Sequence, residues 1–509
     1  MSTFKGNKAN LPQKPCVVCG RSFTWRKKWA KNWEDIKYCS KACSMLKSKK
    51  SIASLILFFF IIGSSWVIHT STPITDKPIF IPPSKQQDGN AENGYQYLID
   101  GDFIKSGLPY SIYINLFGKD DHNYLGRIGK AANISPGFNV VKHANGTDIV
   151  VPTCLQCHSQ IVDGKLMLGL GNTELDFTNL SSGKEWMQEI SKSLMKKLAP
   201  KQFEATLAIT NSLTTIAPLM RTEVRGINAA DRLAILLVAH RDPSTLEWKQ
   251  QPLLNIPSEI VPTDVPAWWL LKKKNAMFYN GFGRGDFGKF LMLSNLLTVK
   301  DSAEAREVSS HFNDVLAFLK KLEAPKYPGK IDFQKAIEGE KIFTTNCSKC
   351  HGTYGEKGVY PNLLVPASII KTDSLLFKSN YQNPQFIEWF NNSWFAQGEH
   401  AAKLYPSNGY VAPPLDGVWI TAPYLHNGSV PSLEGVINSK IRPTYWGKDF
   451  KKPFYDIQNL SWKYTVYEAP INKNIYNTKL AGYNNIGHNF GDALTDQERK
   501  LLIEYLKTL

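Results

Sequence analysis

The chain has 509 residues, with 60 Lys and Arg against 44 Asp and Glu, a net charge of +16, and 43% hydrophobic residues. At roughly 150 residues per domain this length provides for roughly two to four domains and an ample core. The composition excludes a mainly disordered chain, and without a Gly or Pro period it also excludes a fibre.

The charge is concentrated at one end. Residues 1–50 carry 11 Lys and 2 Arg against Glu34 and Asp35, a net of +11, which leaves +5 for the other 459 residues. Within this head, Cys16, Cys19, Cys39 and Cys43 form a C-x-x-C and a C-x-x-x-C separated by 19 residues. Four thiolates so spaced fit a closed tetrahedral zinc site of structural type. Arg26, Lys27 and Lys28 interleave with Trp25, Trp29 and Trp33, a pattern that suits RNA or DNA. The tryptophans also suffice to pack a small core with the lysines solvated or facing anionic lipid, and this reading is preferred.

After Lys47, Lys49 and Lys50, the stretch Ile52–Ile68 is 17 strongly apolar residues. It predicts one transmembrane helix within 51–71, with the basic head in the cytoplasm and the remainder exported. The expectation is a single-pass protein of the cytoplasmic membrane whose larger part is periplasmic. No A-x-A site follows, which favours an uncleaved anchor over a signal peptide, although Met45 could open an alternative start. Residues 72–90, with Pro73, Pro78, Pro82 and Pro83, read as an extended linker.

The exported part divides near Pro325, Pro328 and Gly329 into segments 91–325 and 326–509, and each contains one C-x-x-C-H. Cys154, Cys157 and His158 form the first; Cys347, Cys350 and His351 form the second. This is the attachment signature of haem c: two thiols add across the vinyl groups, and the adjacent imidazole ligates the iron. Two covalent haems and one zinc use all eight cysteines, leaving none for disulfides.

In the first segment, helical stretches are expected from Trp186 to Ala239. His122, His143, His240, His311, Met167 and Met220 are available there, and nothing in their spacing selects a sixth iron ligand. A five-coordinate iron open to hydrogen peroxide or dioxygen is therefore one hypothesis for this haem. In the second segment, AIEGEKIFTTNCSKCHG predicts a helix ending at the attachment site, with Gly339 at a close contact. LTDQERKLLIEYLKTL predicts a C-terminal helix capped at Asp492 or Thr495. This segment resembles a class I cytochrome c with its two helices crossing. The last methionine of the chain is Met292, so a bis-His iron is expected, with His400, His426 and His488 as candidates. The fold class expected is mainly α: two cytochrome c-like haem domains behind a zinc-binding segment and a membrane helix.

APYLHNGSVPSLEGV (422–436) after PPLDGVWIT resembles the signature of the bacterial di-haem cytochrome c peroxidase and MauG superfamily. Together with YPNLLVP (360–366), KKNAMFYNGFGRGDF (273–287) and GHNFGDALTDQERKLLIEYLKTL (487–509), it is more similar to the RoxA-like, rubber oxygenase-type branch. The PCVVCGRSFTWRKKW stretch resembles a short bacterial family of uncharacterised zinc-binding proteins over residues 14–43. The superfamily resemblance implies a catalytic first haem held by His158 and an electron-transfer second haem held by His351. It favours His488 as the second haem's distal ligand, with His426 as the alternative. It also implies a tryptophan relay between the haems, Trp269 in preference to Trp268, and calcium held by the carbonyls of Thr421 and Pro423.

The function expected is that of a haem-dependent oxidoreductase, peroxidase or oxygenase, acting on an unknown organic substrate or redox partner protein. A di-haem electron carrier and a redox sensor signalling to the zinc segment are the competing readings. The chain is shorter than rubber oxygenases, so polymer cleavage is not inherited with the resemblance.

Overall fold

The computed structural model describes residues 11–17, 21–41, 43–44, 77–178 and 192–509. By their contacts, residues 1–73 and 74–509 are two units. In the first, Gln13–Pro15 pairs antiparallel with Ser22–Thr24. Phe23 is buried there, with Trp29 and Trp33 edge-on to it at 5.7 Å each and stacked on one another at 5.9 Å. These aromatic contacts are the small core of the segment.

In the second unit, helices start where a side chain can accept the first unsatisfied amides. Asn90 caps helix α1 (Ala91–Asp100), and α2 (Pro200–Ile216) opens on a proline that has no amide to satisfy. Helix α3 spans Ala230–Ala239, and Asp301 caps α4 (Ser302–Lys321). Asp332 caps α5 (Phe333–Asn346), and Thr495 with Glu498 forms a reciprocal capping box on α6 (Asp496–Leu506). Along α4 the buried positions Ala305, Val308, Phe312, Val315, Leu316 and Leu319 follow the helical period, and this face packs on α1.

The expectation of a mainly helical fold is corrected: the unit is mixed α and β. Phe138–Lys142 and Asp148–Pro152 form a hairpin, extended by Leu108–Pro109. Ser159–Val162 pairs with Lys165–Leu168 directly after the first attachment motif. Leu363–Pro366 lies between Ile79–Phe80 and Gly409–Val411, and Ala402–Leu404 pairs with Gly283–Gly285. Most of these strands are two to five residues long, too short to impose a period-two pattern on the sequence, and the loops that join them hide the pairing. Within the described residues, the helical stretch expected over 186–239 is Lys192–Leu198, α2 and α3, broken at Pro200 and again between Ala217 and Ala229, and residues 186–191 lie outside them.

The single-pass location in the cytoplasmic membrane is corrected as well. Among the described residues no helix is long and apolar enough to cross a membrane. The apolar stretch 52–68 and Met45 lie outside the described residues.

The unit has two main hydrophobic cores, and both draw on residues from each side of Pro325. The first gathers Leu98, Leu236, Trp268 and Phe312 but also Trp389, Phe390 and Phe395. The second gathers Phe343, Trp419, Leu502 and Leu506 but also Leu170, Trp269 and Leu270. In the second core α5 crosses α6 at Gly339, where an added Cβ would lie 2.0 Å from the Leu501 carbonyl oxygen and 3.0 Å from Tyr505 Cβ. This crossing fixes the C-terminal end of α5, and hence the attachment motif that follows it.

Alanine is about 1 kcal/mol better than glycine in a helix interior, yet the clash with backbone outweighs that gain. Gly339→Ala is expected to destabilise the haem-loaded protein by about 1–3 kcal/mol, read as a lower urea midpoint with an unchanged slope.

Candidate functional site

The two attachment motifs sit on different local frames. In the first, Thr153 caps a single 3-10 turn, Cys154–Gln156, and the His158 amide returns to the Cys154 carbonyl at 3.0 Å. Burial pushes the Cys154 thiol up to about 11 and holds the His158 imidazole neutral by pushing it down to about 3. The His158 ring stacks on Trp268 with centroids 4.4 Å apart, and its buried Nδ1 has no hydrogen-bond partner. Asn228 Nδ2 donates to Cys157 Sγ at 3.5 Å.

In the second motif, Cys347 ends α5 and one further turn, Ser348–His351, carries Cys350 and His351. His351 Nδ1 donates to the Pro413 carbonyl at 2.8 Å, which leaves Nε2 as the free lone pair of a neutral ring. Burial is the main cause that lowers the His351 pKa. Its ring faces His488, with centroids 6.1 Å apart and planes at 66°. Metal–nitrogen bonds of about 2 Å on each side, plus half of each ring, place two ligating imidazoles at about this separation.

His488 is held in place by its backbone. It has a left-handed φ of 49°, a conformation costing of order 1 kcal/mol or more and kept here by its neighbours. Gly487 is also left-handed, and a Cβ there would lie 2.2 Å from the Lys371 carbonyl carbon. The Arg442 guanidinium donates to the carbonyls of Asn485, Gly487 and His488 at 2.6, 2.7 and 3.2 Å. The His488 amide donates to the Ile370 carbonyl at 2.8 Å. Burial first, then the neighbouring His351 and Arg442, pushes the His488 pKa down to about 4.

A cavity of about 450 Å³ lies against these groups, within the range of small-ligand and cofactor sites. Cys347, Cys350, His351 and His488 line it, with apolar walls from Leu270, Val365 and Leu433. This donor set fits haem c: two thiols for the thioether bonds, two opposed neutral imidazoles for the iron, and an apolar wall for the macrocycle. At the first motif the thiols, the neutral imidazole and its orphaned Nδ1 fit haem c in the same way.

The other residues singled out from the sequence fall as follows. His426 lines the cavity but its Nε2 is hydrogen bonded to the Tyr410 hydroxyl at 3.0 Å, and the two rings stack at 4.1 Å. His400 is not among the cavity-lining residues. Thr421 and Pro423 line the cavity on either side of Ala422, whose carbonyl accepts the Trp462 indole N–H. Trp269 is buried in the second core and donates to the Asp416 carbonyl at 2.8 Å; its neighbour Trp268 belongs to the first core and touches His158. Cys16, Cys39 and Cys43 bring their sulfurs within 4.8 Å of one another and could hold a metal ion. Cys19 lies outside the described residues.

Sequence reasoning ranked Trp268 behind Trp269 and missed Arg442, Tyr410 and a buried acid. Asp264 lines the cavity, accepts from the Tyr279 hydroxyl at 3.0 Å, and is pushed up to about 7 by burial. None of these residues belongs to a motif, and only the fold makes them neighbours.

Residues 409–447 match a family model described as RoxA-like, cytochrome c-like. The matched stretch includes Tyr410, Pro413, Thr421, Pro423 and His426, all on the cavity wall. Residues 7–45 match a model described as an uncharacterized protein conserved in bacteria (DUF2256). Two proteins of Sinorhizobium fredii (strain NBRC 101917 / NGR234) are similar. The uncharacterized protein y4iM is 26% identical over 293 residues, covering 50% of this chain and 66% of its own length. The uncharacterized protein y4iJ is 36% identical over 111 residues, covering 20% of this chain and 18% of its own. The matched stretches thus span just under two thirds of the one relative and under a fifth of the other. Among solved structures, Kuenenia stuttgartiensis hydrazine synthase pressurised with xenon is 16% identical with a TM-score of 0.20, covering 39% of this chain and 55% of that one. The cytochrome c-like match relates the chain to haem-dependent redox proteins.

Because the Asp264 pKa is raised from 3.8 to about 7, the folded protein binds a proton that the unfolded chain has lost between those values. This contribution to stability is full below the unfolded value and disappears as pH rises through about 7, at a slope of at most about 1.4 kcal/mol per pH unit. Asp264→Asn keeps an acceptor for Tyr279 and should flatten this part of the stability–pH curve, measured by urea unfolding from pH 4 to pH 8.

Proposed function

We propose that the protein is a di-haem c-type oxidoreductase in which the two haems have different coordination and different work. The observation that carries this reading is the asymmetry of the two imidazoles: His351 faces His488 across 6.1 Å, whereas the aromatic neighbour of His158 is the Trp268 indole. Haem c supplies one-electron chemistry and, where one coordination position stays open, a place for peroxide or dioxygen to bind.

In this reading His351 and His488 would both ligate the iron of a second haem, leaving it electron transfer as the chemistry it would supply. His158 would ligate the first haem, and the apolar surroundings that keep this imidazole neutral would also keep it a ligand. Cys154 with Cys157, and Cys347 with Cys350, supply the two pairs of thioether bonds. The tryptophan pair supports a path between the haems, since Trp268 stacks on His158 and Trp269 lies in the core of the second site, tied to Asp416. Trp268 thus joins Trp269 as a relay candidate. His426, with its nitrogen already engaged by Tyr410, is assigned to positioning rather than ligation. The substrate class proposed is hydrogen peroxide or dioxygen together with an organic substrate or a redox partner protein. The carbonyls of Thr421 and Pro423 would hold a calcium ion beside the same cavity.

Spectroscopy of the purified chain checks the assignment. One high-spin and one low-spin ferric haem are expected, with carbon monoxide binding to half of the haem after reduction. Two low-spin haems that bind no carbon monoxide would leave an electron carrier instead. His488→Ala should turn the low-spin haem high-spin, and His426→Ala should not.

For the N-terminal segment we propose a structural zinc ion held by Cys16, Cys39 and Cys43 with Cys19 as the fourth thiolate. The sulfurs of the three described cysteines lie within 4.8 Å of one another. Purified protein should then contain one zinc per chain by elemental analysis, and Cys39→Ser should lose most of it while the haem content stays the same.

A further inference from the structure

Three consecutive lysines follow the tryptophan pair, and they differ in what they meet. Lys272 forms an ion pair with Glu323 at 2.7 Å, and Lys273 bonds both carboxylate oxygens of Asp416 at 2.7 and 2.8 Å. Lys274 instead lines the cavity, and no acidic side chain among the described residues lies within ion-pair distance of it. Burial pushes its pKa down to about 8, with no neighbouring charge offsetting that cost. A cation in an apolar wall without an anion is expensive.

The lysine is also held in place. The Lys274 amide closes the preceding turn on the Leu271 carbonyl at 3.2 Å. The Asn275 amide donates to Asn362 Oδ1 at 2.7 Å, and Asn362 Nδ2 returns to the Lys273 carbonyl at 3.0 Å. Asn275 Nδ2 donates to the Ile81 carbonyl at 2.9 Å. The backbone on both sides of Lys274 is therefore fixed before anything binds, so little ordering cost remains for an ion pair formed there.

The wall offers few other charges. Lys349 sits inside the attachment motif, beside the thioether edge of any haem bound there. Asp416 is neutralised by Lys273, and Asp264 is raised toward neutrality and bonded to Tyr279. An occupant that is apolar over most of its area and carries a carboxylate away from its thioether edge would satisfy this wall.

We propose that Lys274 is the counter-ion of a propionate of the second haem and thereby sets that haem's reduction potential. The inference rests on the reading that Cys347, Cys350, His351 and His488 hold a haem. Lys274 acts through the propionate as a positioning and tuning residue. A fixed cation beside the macrocycle favours the reduced state, which carries one positive charge fewer.

The test uses the full haem-loaded chain and compares wild type with Lys274→Gln and Lys274→Arg. Covalent haem is counted first by pyridine haemochromogen in wild type and in the Cys347→Ser/Cys350→Ser double variant. If the double variant loses no haem, the reading of the second site itself fails, whatever Lys274 does. With that haem present, Lys274→Gln should shift the midpoint potential of the low-spin haem downward and move its propionate-bending band in resonance Raman. Lys274→Arg should keep the potential near wild type while moving the same band, because the charge stays and the hydrogen-bond geometry changes. If Lys274→Gln does not load haem, the band in Lys274→Arg decides alone: a shift supports the proposal and an unchanged band overturns it. An unchanged potential and band in a fully loaded Lys274→Gln would overturn it outright.

Discussion

Two uncharged imidazoles facing each other in an apolar cavity set the terms for the surrounding structure. At 6.1 Å between centroids, His351 and His488 are too far apart to bond one another and suitably spaced for a metal between them. Neither ring can carry a proton cheaply at that depth, since burial lowers both pKa values. The arrangement has a cost, which the Arg442 clamp and the close fit of Gly487 against Lys371 offset by leaving the His488 loop no other path. On the opposite side, the α5–α6 crossing at Gly339 holds the helix end from which His351 projects. Residues 485–509 therefore serve the site twice: as the loop that carries one imidazole and as the helix that supports the other.

The first attachment site has a different construction. It stands on one 3-10 turn and a hairpin rather than on a long helix, and its imidazole rests against an indole. Such a frame holds the His158 ring through stacking on Trp268. The adjacent tryptophans Trp268 and Trp269 enter different hydrophobic cores, so one short 3-10 helix touches both sites. Asp416 reinforces that link by accepting from both the Trp269 indole and the Lys273 ammonium.

Length and spacing reach far into this protein, but not evenly. The C-x-x-C-H motifs were legible because a haem-attachment signature is a matter of local spacing, and the cap and period of α6 were legible because helices are local objects. The short strands were not, since their partners lie tens or hundreds of residues away: Gly283–Gly285 pairs with Ala402–Leu404, and Ile79–Phe80 with Leu363–Leu364. Local composition around each strand resembles loop, which is how a mixed fold was taken for a mainly helical one. The membrane reading was corrected for a different reason. It rested on the apolar stretch 52–68 and its lysine flank, which lie outside the described residues, and among those residues no helix is long and apolar enough to cross a membrane.

By itself the sequence determined the local motifs: two C-x-x-C-H segments, the histidine that follows each cysteine pair, that no methionine follows Met292, and where the positive charge is concentrated. These are properties of neighbours along the chain. The tertiary structure alone decided that His488 faces His351 while His426 bonds Tyr410, that Trp268 rather than Trp269 touches His158, and that Lys274 meets a cavity where Lys272 and Lys273 meet carboxylates. The physical reason is that charge state, ligation and electron transfer depend on distances of a few ångströms between residues far apart in the chain, and packing, not spacing, sets those distances.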